Sequence, residues 1–416
     1  MRDAVQPRIA KGGVLAVILV SFVVAFEILI MISPFAFYFY AVFNPILLTL
    51  NQSGLTRWLT SFFLPHMIVP PDALLTCIRV AGSALFLLGL FLFLICAGQV
   101  YWGKLFKRGT ATGGFYRVVR HPQYVGLSLA ALGLAIMWPR LLTLVLLALM
   151  MTLYDILALD EERRMLKRHG DAYRQYRERT GMFVPRRIEK MFRRETERER
   201  QLNIKMSFVV FLVLGAVIVG AGFLLRSYTV HHLPLMEVGG VDVITIAGDD
   251  AATAAELMHA VLRDSAVAAR LGSIEPTPEH RLLAYVIPVD YVMQGMIANT
   301  GDEWKLFEQH KTLGMITEYI LHPFSHLTGG HAHLMDMSHM HHGLAMYAMP
   351  AMQRRVIFIK VSSGGEALQS ATDDFDINVL RTPLVFVDVH LHTDEILKLQ
   401  NTPAGSEWGT VPTPTF

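Results

Sequence analysis

A chain of 416 residues with 53% hydrophobic and only 17% charged side chains, and a mean hydropathy of +0.39, is too apolar for an ordinary soluble protein. The net charge of +2 conceals an asymmetry: residues 1–225 hold 26 Lys and Arg against 13 Asp and Glu, while residues 226–416 hold 11 against 22. Two halves of opposite sign predict two domains in different surroundings, and because the basic residues flank apolar runs, membrane lipids rather than nucleic acid are the expected partners.

Taken in chain order, residues 13–43 are apolar apart from Glu27, with Pro34 as an expected kink, and are long enough to cross a bilayer and remain as an anchor. Residues 54–70, with Trp58, Phe62, Phe63 and His66, read as interfacial. Residues 73–100 form a second span. Residues 122–138 and 141–158 form two short spans joined by a tight hairpin at Trp138-Pro139-Arg140, and residues 207–225 form the last span. Cys77 and Cys96, the two cysteines, lie roughly 28 Å apart along one helix and cannot bridge.

Lys and Arg cluster at the N-terminus, in 101–121 and in 159–206, whereas the 44–72 loop has Arg57 alone. Five spans with a cytoplasmic N-terminus satisfy this distribution and leave residues 227–416 extracytoplasmic. Residues 187–205, rich in interspersed charge, read as a solvated cytoplasmic helix. No organellar transit pattern is visible, and the outer half is acidic and free of cysteine, so a bacterial inner membrane is the expected location.

The outer half reads as α+β. Strands are expected at Val241–Ala247, Leu282–Pro288, Arg355–Val361 and Leu384–His392, and helices at Ala251–Leu271 and Glu303–Leu321. The expected division is an anchor and interfacial segment over 1–72, a membrane core over 73–187, a basic helix and last span over 188–226, and an α+β domain over 227–416.

The chemistry concentrates at the hairpin. Arg120 and His121 sit where a cytoplasmic loop meets a span, Pro122 suits a first helical turn, and Tyr124 and Gly126 follow. The chain returns to the same face at Asp160-Glu161-Glu162, which reads as the start of an acidic helix. Two antiparallel spans therefore bring Arg120, His121 and Tyr124 to the two glutamates. Beyond them Glu162, Leu166, His169, Tyr173 and Tyr176 keep helical spacing, and one face of that amphipathic helix is placed to cover the cluster as a lid before Pro185 ends it. Asp155, an acid near a span end, is a candidate for function or, one turn from the interface, simply a solvated side chain.

The order R-H-P-x-Y-x-G, a two-span hairpin, an acidic cluster and h-G-x-x-Y-x-x-Y over about residues 73–187 resembles the isoprenylcysteine carboxyl methyltransferase and phospholipid methyltransferase superfamily. The resemblance implies an integral-membrane, S-adenosylmethionine-dependent enzyme. His121, Pro122, Tyr124, Gly126, Glu162 and Tyr173 are then the cofactor-binding candidates, and Arg120 and Glu161 the catalytic ones, Arg120 facing the acceptor. The acceptor itself stays open among a prenyl-cysteine carboxylate, a lipid amine and a small thiol.

A second signal lies at 322–352, where histidines and methionines interleave. His331, His333, His339, His341 and His342, with Met337 and Met340, form a candidate copper or zinc site, since imidazole suits both ions and thioether suits Cu(I). The alternative reading of the whole chain is a membrane-anchored metal-binding or sensing protein whose methyltransferase-like half is a non-catalytic scaffold.

Overall fold

The computed structural model describes residues 25–38, 53–65, 72–105, 112–192, 204–246, 251–272, 279–289, 292–294, 308–310, 352–365 and 367–401, with a few isolated positions between them. Two compact units result: Met1–Tyr40, Phe86–Ala131 and Leu146–Leu214 form one, and Ala41–Leu85, Leu132–Val145 and Gly215–Phe416 the other.

The apolar runs are helices: α1 (Ala25–Tyr38), α2 (Ala73–Leu105), α3 (Pro122–Met137), α4 (Leu141–Arg179) and α6 (Ile204–His231), with the short α5 (Arg186–Phe192) between the last two. Among the described residues three segments are long and apolar enough to cross a membrane, Ala73–Gly103, Leu141–Arg179 and Phe208–His231; α1 and α3 are shorter apolar helices. The structure thus accounts for an apolar helix at each of the five expected places and for three candidate spans by length. The expected charged helix over 187–205 is represented by α5, and residues 193–203 lie outside the described residues.

Helices α2 and α3 approach through glycine. A Cβ on Gly126 would stand 2.7 Å from the Phe93 amide nitrogen and 2.8 Å from the Gly89 carbonyl oxygen, and one on Gly89 would stand 2.3 Å from the Ala130 nitrogen. Only bare backbone fits at that spacing, the usual way for helices to associate where lipid removes the hydrophobic drive. Gly126→Val should therefore force the pair apart and lower the stability of the detergent-solubilised protein by about 1–3 kcal/mol, read as an earlier thermal midpoint; an unchanged midpoint would contradict the contact.

In the second unit the Trp138–Arg140 hairpin tip is gripped by the segment expected to be interfacial. The Phe63 amide donates to the Pro139 carbonyl at 2.7 Å and the Leu141 amide to Ser61 at 2.9 Å, making Phe62 and Arg140 bridge partners. The Arg140 guanidinium lies 4.3 Å from the centre of the Phe62 ring and donates to the Thr60 carbonyl. A buried guanidinium at such a position satisfies carbonyls that have no water to bond.

A six-stranded sheet follows, in the order β1-β2-β3-β6-β7-β8. Its strands are β1 (Leu235–Val238), β2 (Val241–Thr245), β3 (His280–Pro288), β6 (Gln353–Ser362), β7 (Leu380–His390) and β8 (Ile396–Asn401). All neighbouring pairs are antiparallel except β2 and β3, which are parallel and joined through helices. The helix expected over Ala251–Leu271 is two, α7 (Ala251–Arg263) and α8 (Ser265–Leu271). Asp264 interrupts them because its Oδ1 accepts the Ala266 and Val267 amides at 2.9 and 3.0 Å, capping α8. Leu257, Met258 and Val261 of α7 and Val267 of α8 pack with Val243, Val286, Phe358 and Val387 in the sheet's core. The expected helix over Glu303–Leu321 is corrected where it is described: Glu308–His310 is strand β5, paired in parallel with β4 (Val292–Gln294), because cross-strand bonds outweigh local propensity there. Residues 303–307 and 311–321 lie outside the described residues.

Candidate active site

The polar residues at the hairpin base come together in the first unit. The chain between the Gly114–Arg117 turn and α3 is stitched to the chain beyond α4: Gly181 donates to the Val118 carbonyl at 3.2 Å, Arg120 to Gly181 at 2.8 Å, and His121 to Met182 at 3.2 Å. Gly181 cannot carry a side chain there, because its Cβ would lie 1.7 Å from the Val184 carbonyl oxygen.

The Asp160-Glu161-Glu162 cluster is not a helix start. Helix α4 runs unbroken through it, and the first departure from helical geometry is Gly170, at φ 54° and ψ −126°. No residue between Leu141 and His169 interrupts the ladder, so helical hydrogen bonding continues past the apolar stretch into the charged one. The solvated reading of Asp155 is corrected as well: the residue is buried.

The kink at Gly170 turns the last part of α4, Asp171–Arg179, back over the cluster as the expected lid. Three attachments hold it. The Tyr176 hydroxyl donates to the Tyr116 carbonyl at 2.7 Å; Arg120 Nη1 donates to the Arg177 carbonyl at 3.2 Å and to that of Thr180; and the Gly181 strand pairing follows immediately. Arg120 thereby caps a helix C-terminus, where cationic donors match unsatisfied carbonyls. Nothing crowds the Gly170 Cβ position, so the requirement for glycine is purely conformational. Gly170→Ala should cost about 1–3 kcal/mol of backbone strain and splay the lid, seen as faster hydrogen exchange over 171–180; unchanged exchange would count against it.

Behind the cavity the charges pair. Arg120 Nε meets Glu162 Oε1 at 2.5 Å, with side chains only 4% and 8% exposed, and Arg177 Nε lies 3.6 Å from Glu162 Oε2. His121 is buried between the two glutamates, Nδ1 3.6 Å from Glu161 Oε2 and Nε2 3.6 Å from Glu162 Oε1, so neither ring nitrogen makes a hydrogen bond of ordinary length. Burial opposes the imidazolium, yet the flanking Glu161 and Glu162 carboxylates outweigh it and raise the histidine above its ordinary range. The ring stacks on Tyr124, which stacks on Tyr154.

A cavity opens in front of this network, lined by Thr112, Tyr116, Arg120, His121, Gln123, Glu161, Met165, His169, Ala172, Tyr173 and Tyr176. Of the eight candidates, Arg120, His121, Glu161 and Tyr173 line it. Pro122 opens α3 outside the lining, Tyr124 stacks on His121, Gly126 belongs to the α2–α3 contact, and Glu162 is the buried partner of Arg120. Tyr116 and Gln123 went unnoticed in the sequence. They are joined at 3.0 Å, and the Tyr116 hydroxyl also reaches the Cys96 carbonyl at 3.2 Å. Their signal was an aromatic pair after Gly113-Gly114 and a polar residue opening an apolar helix. Among the described residues no group of His, Cys, Asp or Glu is arranged to hold a metal. His331, His333, His339, His341, His342, Met337 and Met340 lie outside the described residues.

An acidic and aromatic cavity thus lies under a helical lid at the base of an apolar hairpin. Residues 77–172 match the family model described as phospholipid methyltransferase, within the superfamily the motifs resemble. The match takes in the Arg120–Gly126 segment, the hairpin and both glutamates, and with the apolar helices it points to a membrane methyltransferase. No curated protein and no solved structure matches the chain.

Proposed function

We propose that the chain is an S-adenosylmethionine-dependent methyltransferase whose donor and acceptor meet in the Glu161–Tyr173 cavity. The observation that carries this reading is the division of labour between adjacent glutamates: Glu162 is sealed against Arg120, while the Glu161 side chain, 43% exposed, faces the cavity. S-adenosylmethionine supplies an electrophilic methyl group on a sulfonium cation.

The residues fit such a ligand. Tyr116, Tyr173 and Tyr176 offer aromatic faces to a purine, and Glu161 gives one side of the cavity the charge a cation requires. His121 lies between the two carboxylates and faces Glu161 Oε2, and Glu161, on the cavity side, is the group able to accept a proton from an amine or thiol acceptor. Arg120 and Glu162 position this pair from behind; the geometry favours that role for Arg120 over holding an acceptor, since Nε and Nη1 are taken up by internal partners. Closure of the lid over a bound donor would shield the site from water, which in-line methyl transfer needs more than strong acid–base groups.

The acceptor on this reading is lipophilic or small: a prenyl-cysteine carboxylate, a lipid amine or a thiol. The chain crosses a bacterial inner membrane five times, with the cavity at the cytoplasmic face and residues 227–416 outside. Sealed vesicles test chemistry and sidedness together. Labelled S-adenosylmethionine added outside inverted vesicles should label one acceptor class, and added outside right-side-out vesicles should not; equal labelling, or none with any acceptor, contradicts the reading. Metal binding by residues 322–352 is a separate proposal, tested by copper and zinc titration of the full chain, where absence of saturable binding would end it.

A further inference from the structure

The sheet's second face carries a buried charge that the methyltransferase reading does not use. Between β6 and β7 the chain makes a single helical turn, Asp373–Phe375, whose carbonyls are held by two arginines. Arg381 Nε donates to the Asp374 carbonyl and its Nη2 to that of Asp376, both at 2.7 Å. Arg226, near the end of α6, donates to the Phe375 carbonyl and, with its other arm, to that of Phe62. One turn of the sheet region is thus tied through Arg226 to the segment that grips the hairpin tip, all within the second unit.

At the centre of the turn Asp374 is fully buried and neither carboxyl oxygen accepts a hydrogen bond. Its nearest cation, Arg281 Nε, is 3.4 Å away and already donates to Asp242 Oδ2 at 2.8 Å. Asp242 from β2 faces it, and Arg281 serves both carboxyls. The other charged or titratable groups around it are Tyr285 on β3, Arg381 on β7, Arg226 on α6, and Asp373 and Asp376 in the turn itself; Glu237 on β1 acts on Arg281. Asp373 is occupied with the Gln369 and Ser370 amides, and the two remaining arginines point their donors at backbone carbonyls. Two buried carboxylates sharing one guanidinium cannot both ionise at low cost.

We propose that a single proton held between Asp242 and Asp374 latches the 373–376 turn onto the sheet, and that its loss releases the turn together with the Phe375 carbonyl held by Arg226. The direction of the response follows from the two states. Burial, and then the facing Asp242, raise Asp374 to about 8 in the latched turn. A released turn returns it to the ordinary carboxylate range near 4. Opening therefore sheds a proton between these values. It becomes about tenfold easier for each pH unit across that window and levels off above about pH 8.

Hydrogen–deuterium exchange on the full chain in nanodiscs, from pH 5 to 9.5 and corrected for intrinsic rates, reads this directly. The Phe375 and Asp376 amides, bonded at 3.1 and 3.0 Å within the turn, should lose protection about tenfold per unit up to about pH 8 and then level off. Asp374→Asn, neutral at every pH, should give a flat profile. Should that variant not fold, the wild-type infrared spectrum serves instead: a protonated-carboxyl band at pH 6 should disappear by pH 9.5. Protection independent of pH in the wild type, an equal slope in Asp374→Asn, or no such band would overturn the latch.

Discussion

Arg120→Ala should destabilise the membrane half by about 3–5 kcal/mol, because it leaves Glu162 ionised, buried and without its closest cation. The loss is not confined to the 2.5 Å ion pair. Arg120 also bonds the Arg177 and Thr180 carbonyls, so its removal uncaps the lid helix and strips the base of the cavity in one step. A lysine at 120 keeps the charge but not the planar fork that reaches a carboxylate and two carbonyls together, and should recover only part of the loss. Arg120→Ala combined with Glu162→Gln should be milder than the sum of the single changes, because the stranded charge is gone. Denaturant unfolding of the purified variants checks the set. A single variant within about 1 kcal/mol of wild type would mean that the pair is solvated and the burial argument fails.

Glu161→Gln should show the opposite profile, with stability retained and chemistry lost. The Glu161 side chain is half exposed in the cavity wall, and the buried His121 keeps Glu162 as its second carboxylate, so neutralising Glu161 should cost far less stability than removing Arg120. What disappears is the acidic partner for a cationic donor and the acceptor of a proton. Interactions with a charged group contribute about 1.5–3 kcal/mol, so donor affinity should fall roughly ten- to a hundredfold, and methyl transfer with it. Glu162→Gln, one residue along, should instead resemble Arg120→Ala. If the two glutamine variants behaved alike, by thermal midpoint and methyl transfer measured together, the assigned division of labour would be wrong.

Much of this arrangement was legible in the residues. Apolar runs located the helices, Trp138-Pro139-Arg140 located the hairpin, and the spacing of His169, Tyr173 and Tyr176 located the lid. What pattern could not supply were the long-range partners. Arg140 read only as part of the hairpin tip and Arg226 carried no signal, whereas Arg140 bonds the Thr60 carbonyl and Arg226 those of Phe62 and Phe375, all far away in sequence. Charge counting has no access to such contacts. Gly126 read as a position where another group approaches the backbone closely, and the α2 backbone at Gly89 and Phe93 makes such an approach.

Two omissions had local signals. Strand β1 pairs with β2 through Gly239-Gly240, both at positive φ (60° and 80°), a two-residue hairpin turn that Leu235–Thr245 advertises. The break within Ala251–Leu271 is announced by Asp264, a residue that favours the cap of a second helix. The kink at Gly170 is different in kind. Glycine inside a charged helical pattern is tolerated as often as it bends, and only the tertiary bonds of Tyr176 and Arg120 select the bent form.

The measurement closest to the central claim is calorimetric titration of S-adenosylmethionine into the detergent-purified full chain, with Glu161→Gln alongside. The account predicts saturable binding in the wild type and affinity at least tenfold weaker in the variant, with both proteins equally folded by circular dichroism. A well-folded wild type that takes up no S-adenosylmethionine would contradict it, and the cavity under the lid would then belong to a different ligand.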